Sequence, residues 1–341
     1  MADEPRVTLA SIAAEAGVSL TTMSKVLNGR SDVAPATRAR AEEHLRRSGY
    51  RRRGSGRRAA SVELVLRQLY GVTSLEVIDG VREAAAESGF ALTLTVIDDE
   101  QDSGSAWLDA VIRRRPAGII LAYADLAAGM REKLRSRNIP VVVVEPADAD
   151  PTVPAVGVAH WSAGVTATRH LIELGHRRIA AITGPGDVAG ARARLDGYRS
   201  AMHLAGLAVP PEFTRFAELD SDAGERAAAE LLSLREPPTA IIAGGDLQAP
   251  GVLNAARTRG MRVPGDLSVV GYDDHRISTS SIPRLTTIHQ PMREVGATAT
   301  RIVLRLGSAA AEEPTRVDLA ASLVLRESTA PPSAGFYNVA N

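Results

Sequence analysis

The chain has 341 residues, 45% of them hydrophobic, which is enough for about two or three globular domains with sizeable cores. It contains no cysteine, which excludes disulfides, thiolate metal sites and a cysteine nucleophile. Net charge is zero, no signal-peptide pattern is visible, and no run reaches the roughly 18 apolar residues of a membrane span, so we expect a cytoplasmic protein.

The zero net charge hides a division along the chain. Residues 1–60 carry twelve Arg or Lys against six acids, a net +6, and the remainder carries 28 basic against 34 acidic residues, a net −6. Such asymmetry is typical of a polyanion-binding head on an acidic body.

The first sixty residues predict three short helices. Thr8 is a good N-cap for LASIAAEA, and Gly17 can take the left-handed conformation that ends the helix. Ser19 caps a second helix, and a third begins near Pro35 and runs to about Ser48. Two helices joined by a tight glycine turn and braced by a third form a helix-turn-helix unit.

The second predicted helix has an unusual outward face, made of Leu20, Thr21, Ser24, Lys25 and Asn28. Slim hydroxyl side chains can approach base edges in the major groove of DNA, and Leu20 can contact a thymine methyl. Lys25 can reach a guanine or a phosphate, and no acid on this face would repel the backbone.

These residues also carry a family resemblance. The stretch VTLASIAAEAGVSLTTMSKVLNG, followed by TRARAEEHLRRSGYRR, resembles the DNA-binding head of the LacI/GalR family of bacterial transcriptional regulators. The resemblance implies that Leu20, Thr21 and Lys25 read bases. It implies that backbone contacts come from Thr8, Ser19, Thr22, Ser24, Asn28 and Thr37.

The linker departs from the family pattern. Seven arginines lie between Arg46 and Arg58 without one acid, and Gly54-Ser55-Gly56 interrupts any helix. In the resembling family this linker folds on DNA into a hinge helix with a leucine that wedges into the minor groove, but here it contains no leucine. We expect phosphate or narrow minor-groove contacts instead, from Arg51, Arg52, Arg53, Arg57 and Arg58.

From Val62 onward, apolar strands alternate with helical stretches of about 10–15 residues. This alternation predicts parallel sheets covered by helices on both faces, and the number of strands predicts two doubly wound lobes with a ligand cleft between them. Segments such as HLIELGHRRIAAITGP and DLSVVGYDD resemble the family's effector-binding core, which is similar to periplasmic sugar-binding proteins.

The expected domain organisation follows from both observations. We predict a helix-turn-helix domain over 1–53, a basic hinge over 54–61, a two-lobed core over 62–330 and a tail over 331–341. We assign 62–157 and 285–314 to lobe 1, and 158–284 and 315–330 to lobe 2.

The resemblance also implies a set of effector-binding residues. Arg194 matches an arginine that grips ligand oxygens, for which its planar fork is suited, and Asp273 matches an acceptor for ligand hydroxyls. Strand ends and adjoining loops supply the others, which are Tyr70, Ser74, Glu145, His160, Trp161 and Asp246.

Two positions depart from the pattern of that pocket. Gly245 replaces a usual Asn, and Leu219 stands where the family often has an aromatic that stacks on a sugar ring. A sugar effector is therefore expected from the resemblance alone. A purine or nucleoside effector and a degenerate pocket remain open.

The expected partners are double-stranded operator DNA, a small-molecule effector and a second copy of the chain, in a nucleoid-associated homodimer. Two other classes of protein are alternatives. A solute-binding protein for a transporter fits the body but not the basic head. An enzyme is disfavoured because no histidine pair has metal-binding i, i+4 spacing and no nucleophile or phosphate-loop motif occurs, so no cofactor, metal or catalytic residue is expected.

Overall fold

The computed structural model describes residues 8–27, 33–48, 60–66, 71–97, 106–124, 126–146, 150, 152–307 and 316–333. The predictions for Asn28, Tyr70 and the five linker arginines lie outside these residues, as do most of the hinge and most of the tail.

The three-helix head forms as predicted, with helices α1 (Leu9–Glu15), α2 (Leu20–Leu27) and α3 (Pro35–Arg47). The Thr8 side chain accepts a hydrogen bond from the Ser11 amide, and the Ser11 hydroxyl accepts one from the Thr8 amide, in a reciprocal cap. Gly17 has φ +63°. The small core of the head contains Ile12, Met23 and Ala41, each with no exposed surface.

Two six-stranded sheets follow, each flanked by helices, which confirms the predicted architecture. The first half of the core is β1 (Ser61–Leu66), α4 (Gly71–Glu87), β2 (Ala91–Val96), α5 (Ala106–Arg114), β3 (Gly118–Ala122), α6 (Ala128–Arg135), β4 (Val141–Val144), β5 (Ala155–Val158), α7 (His160–Glu173), β6 (Ile179–Thr183), α8 (Ala189–Leu204) and β7 (Thr214–Phe216). The second half is α9 (Ser221–Leu232), β8 (Ala240–Ala243), α10 (Ala249–Thr258), β9 (Ser268–Asp273), α11 (Arg276–Ser280), β10 (Thr286–His289), α12 (Met292–Leu306), β11 (Arg316–Leu319) and β12 (Ser322–Val324).

The first sheet has the strand order β11-β5-β4-β3-β1-β2 and is parallel throughout. The second has the order β12-β10-β9-β8-β6-β7, in which only β12 is antiparallel to its neighbour. Central strands such as β3 and β6 are buried along their whole length, because helices cover both faces of the sheet.

Two of the expected lobe boundaries are wrong. β10 pairs in parallel with β9, so it belongs to the second sheet and not to lobe 1. β11 pairs with β5, so it belongs to the first sheet and not to lobe 2. The chain therefore crosses between lobes after β5, after β10 and again between β11 and β12. Which sheet a short strand joins is decided by partners far along the chain, and hydrophobic alternation carries no information about them.

Candidate DNA interface and effector cleft

The outward face of α2 is built as the sequence predicts. Leu20 is 52% exposed, Thr21 is exposed, and Ser24 and Lys25 are half-buried. The Ser19 hydroxyl accepts a hydrogen bond from the Thr22 amide at 3.0 Å, which fixes the start of the helix. The helix thus presents an apolar tip and short polar groups at its N-terminal end, and none of its eight residues is acidic.

The other head residues named from the resemblance lie at helix starts. Thr8 caps α1, and Thr37 lies half-buried in the first turn of α3. The Ser19 and Thr22 hydroxyls lie 2.8 Å from each other. Their roles as contacts to the DNA backbone stay predictions.

A cleft lies between the lobes where the strands of both sheets end. Glu145 directly follows β4, and His160 begins α7 immediately after β5. Arg194 comes from the first turns of α8, and Tyr272 and Asp273 end β9. Because parallel strands end on one edge of a sheet, residues separated by more than 100 positions meet here.

A hydrogen-bonded chain crosses the cleft from one lobe to the other. One Glu145 carboxylate oxygen accepts from the Val158 amide at 2.7 Å, and the other lies 2.7 Å from His160 Nε2. His160 Nδ1 lies 3.0 Å from the Tyr272 hydroxyl and 3.4 Å from Arg194 Nη1. Since arginine can only donate, Nδ1 is the acceptor, and the imidazole proton is on Nε2, where Glu145 accepts it.

Arg194 is held by this chain and by an aromatic face. Its guanidinium carbon lies 4.3 Å from the centre of the Tyr272 ring, a cation–π distance. Its Nε is buried and has no hydrogen-bond partner among the described atoms. A buried donor left unpaired costs about 1–3 kcal/mol, so this arginine is poised to gain from an oxygen acceptor brought by a ligand.

Asp273 faces the same space in a strained backbone. It has φ +111° and is followed by Asp274 at φ +62°, two successive non-glycine residues in the left-handed region, and such strain persists mainly at functional sites. The Asp273 carboxylate accepts from the Gln290 amide group. Burial raises the pKa of Asp273, while His275 and Arg194 oppose that shift.

Two of the predicted effector residues, Asp246 and Ser74, lie elsewhere than expected, and the role of Trp161 stays a prediction. Asp246 has no exposed surface, and its oxygens accept from the His275 amide at 2.8 Å and from the Thr287 hydroxyl at 2.6 Å. Its side chain therefore ties β10 to the segment after β9, and its amide donates to the Tyr272 carbonyl of β9 at 2.7 Å. Ser74 is fully buried inside α4, not in a loop. Trp161 is 48% exposed, and no stacking partner is seen among the described residues.

The two departures from the family pattern meet beside Asp273. A Cβ at Gly245 would come within 3.3 Å of both an Asp273 oxygen and a Leu219 methyl carbon. Leu219 itself is 38% exposed. A glycine and an aliphatic side chain thus line this part of the cleft, where the family pattern expects an amide and an aromatic ring.

Sequence reasoning missed several cleft residues. Thr73 in α4 lies 3.2 Å from His275 Nε2, a direct hydrogen bond between the lobes. Tyr272 and Gln290 support Arg194 and Asp273. The sequence VVGYDD does mark Tyr272, because this residue directly precedes the acid that ends the strand. Thr73 and His275 lie 202 positions apart, and no local pattern connects them.

The fold and these two sites define a class. A groove-reading three-helix head joined to two doubly wound lobes around a polar cleft makes a DNA-binding regulator with a small-molecule receptor. Among the described residues, no helix is both long and apolar enough to cross a membrane.

Comparisons with known proteins agree with that class. Residues 8–53 match the family described as bacterial regulatory proteins, lacI family, and residues 168–329 match the periplasmic binding protein-like domain. Catabolite control protein A of Priestia megaterium is 31% identical over 329 residues, covering 95% of this chain and 99% of that protein. The HTH-type transcriptional repressor PurR of Escherichia coli O1:K1 / APEC is 33% identical over 331 residues, covering 95% and 97%.

Solved structures give the same answer. The transcriptional regulator CelR in complex with cellobiose superimposes with a TM-score of 0.72 at 30% identity, covering 95% of this chain and 100% of that one. The lac repressor dimer bound to operator and the anti-inducer ONPF has a TM-score of 0.71 at 26% identity, covering 95% and 99%. This chain belongs to the lacI family of bacterial transcriptional regulators.

Proposed function

We propose that this protein is a homodimeric repressor that binds operator DNA through α2 and changes its operator affinity when a small molecule, in the first instance a sugar, binds between its lobes. The effector acts by binding one arrangement of the lobes more tightly than the other. The protein acts on the DNA in the cytoplasm and catalyses no reaction.

One observation carries the DNA-binding part. Leu20 stands 52% exposed at the tip of a capped helix whose sequence contains no acid. An isolated apolar side chain there has little to gain in water, whereas in the major groove it meets thymine methyl groups.

Selection from a pool of random duplexes tests this part with the full chain. We expect wild type to enrich a palindrome whose half-sites lie about one helical turn, or a multiple of it, apart. Leu20→Ala should relax the preference at one base pair in each half-site, at a cost of about 1–3 kcal/mol. Enrichment of no common sequence by wild type would contradict the proposal.

The effector part rests on Arg194, whose guanidinium stacks on Tyr272 and keeps one buried donor without a partner. Hydroxyls or a carboxylate of a polar ligand supply the oxygen acceptors that such a group binds. The cellobiose in the CelR complex makes sugars the first class to test.

Thermal-shift screening against sugars and nucleosides tests this part. A bound ligand stabilises the folded protein by mass action and so raises its melting temperature. At a ligand concentration one hundred times Kd, the gain in unfolding free energy is about 2.7 kcal/mol. Arg194→Gln should abolish the shift produced by the hit while the melting temperature without ligand stays close to that of wild type. A hit among nucleosides alone would replace the sugar as effector, and no hit in either class would favour a repressor with a degenerate pocket.

A further inference from the structure

The chain from the DNA-binding head enters the core at the end of the first sheet where the strands begin, which we call an edge. All strands of this sheet are parallel, so all begin on this side. The Ala117 amide donates to the Ser61 carbonyl at 2.8 Å, and the Ile119 amide donates to the Pro140 carbonyl at 2.9 Å. The segment preceding β3 therefore lies beside the first residue of β1, and the segment preceding β4 lies one strand further along the same end of the sheet.

Both of those segments are basic. α5 ends in Arg113 and Arg114 and is followed by Arg115, and α6 ends at Arg135 and is followed closely by Arg137. We call the four exposed arginines 113, 115, 135 and 137 the linker edge. Arg114 is not counted, because its Nε donates to the buried Glu63 carboxylate at 3.1 Å.

Three of the four linker-edge arginines form no ion pair with a described acid, although Asp109, whose pKa is lowered first by its bond to Lys133, also interacts with the charges of Arg113 and Arg137. Arg135 pairs with Glu132 on its own helix. Arg137 donates to the Lys133 carbonyl at 3.1 Å, and neither it, Arg113 nor Arg115 forms an ion pair with any acid that the structure describes. Cations in the last turn of a helix stabilise its dipole, which accounts for Arg113 and Arg135, whereas Arg115 and Arg137 lie beyond the last helical residue.

We infer that the linker edge is a second, sequence-independent DNA contact, which binds phosphates beside the sites that the head reads. The inference rests on the proposed DNA-binding function. Ser48, at the end of the head, and Ser61 are thirteen residues apart, so the chain between them spans at most about 45 Å. A duplex held by the head thus stays within reach of this edge, and arginine forks suit phosphate oxygens.

The second sheet provides a matched control. Its parallel strands begin at the opposite pole of the core, and the segments before β6, β8 and β9 carry Arg177, Arg235 and Arg257, all exposed. These positions are equivalent in topology and charge but lie far from the linker.

The first measurement is the salt dependence of binding by the full chain to a mixed-sequence duplex of about four helical turns, between about 50 and 200 mM KCl. The triple variant Arg113→Gln, Arg115→Gln, Arg137→Gln should lower the slope of log K against log salt by about two to three per protomer. Lysine at the same three positions should preserve the slope, and so should glutamine at Arg177, Arg235 and Arg257. Equal slopes for wild type and the linker-edge glutamine variant would overturn the inference.

The second measurement locates the DNA directly and uses the absence of cysteine in the chain. An iron chelate attached to Arg115→Cys should cleave bound duplex by hydroxyl radicals, and the same chelate on Arg177→Cys should not. Equal or no cleavage from the two positions, with DNA binding intact, would refute the linker-edge contact alone. A wild-type chain that binds no duplex at low salt would remove the DNA-binding function as well.

Discussion

Asp246 illustrates how a single side chain changes role once its surroundings are known. In the sequence it ends a strand at the expected cleft, as a ligand-binding acid should. In the structure it lies beneath the cleft with both oxygens accepting hydrogen bonds. Burial raises its pKa from 3.8 to about 7, although the bonds from Thr287 and His275 favour the charged form.

This raised pKa predicts a pH-dependent stability. The folded protein holds a proton on Asp246 that the unfolded chain releases above its ordinary pKa. The resulting stabilisation is complete below about pH 4 and is lost as the pH rises to about 7, at up to about 1.4 kcal/mol per pH unit.

Asp246→Asn removes the titration while keeping the shape of the side chain. We expect the unfolding free energy of wild type minus that of the variant to fall between about pH 4 and pH 7 in urea titrations and to level off above about pH 7. The contributions of the other titratable groups are the same in both proteins and cancel in this difference. A difference that stays constant across this range would show that Asp246 ionises normally in the fold.

At the scale of elements, three pairs of helices pack through glycines. A Cβ at Gly164 in α7 would lie 2.2 Å from the Arg194 carbonyl oxygen, and one at Gly197 in α8 would lie 2.1 Å from that of Trp161. Gly80 with Gly296 joins α4 to α12 in the same way, and Gly224 with Gly251 joins α9 to α10. In the sequence, a glycine inside a helix indicates only a low helix propensity. Its packing role is not visible there, because the backbone that it contacts belongs to another helix.

Gly197→Ala should therefore destabilise the protein by about 1–3 kcal/mol, since α7 and α8 must separate. The displacement should also disturb Arg194 on α8 and weaken the thermal shift of any effector. Gly129→Ala is the control, because this glycine is exposed in α6 with nothing within 4 Å of a new Cβ. There we expect a gain of about 0.5–1 kcal/mol, and denaturant unfolding of both variants measures the contrast. Equal effects at the two sites would contradict the close packing.

At the scale of the whole molecule, the chain passes between the lobes three times, and two of these connecting segments are hydrogen-bonded to each other. The Ala159 amide, between β5 and α7, donates to the Leu319 carbonyl at the end of β11 at 2.9 Å. The hydrogen-bonded chain from Glu145 to Tyr272 and the Thr73–His275 bond also bridge the cleft. Among the described residues these contacts border the cleft, so a ligand that prefers another spacing of the lobes acts on contacts beside its own site.

The basic linker gives a prediction that concerns the whole molecule on DNA. If the arginines of the linker bind phosphates, Arg57→Ala with Arg58→Ala should lower the slope of log K against log salt by about two per protomer. Alanine at Arg177 and Arg235 controls for loss of charge elsewhere. An unchanged slope in the linker variant would show that this segment stays away from the DNA. The sequence alone supports this prediction.

The sequence by itself determined the features that depend on neighbouring residues. Helix caps at Thr8 and Ser19, the left-handed Gly17, the acid-free face of α2 and the alternation of strands with helices are local, and each was read correctly. Arg194, His160, Glu145 and Asp273 were also found as cleft residues, because strand ends and a family pattern mark them.

Only the tertiary structure decided which distant residues meet. It moved β10 and β11 to the other lobe, placed Asp246 and Ser74 in the interior and brought Thr73 to His275 across the cleft. It also set the glycines of paired helices against each other and gathered four arginines at the edge where the linker enters. Strand pairing, burial and surface charge depend on contacts between segments far apart in the chain, and these are selected by the packing of the whole core and not by local preference.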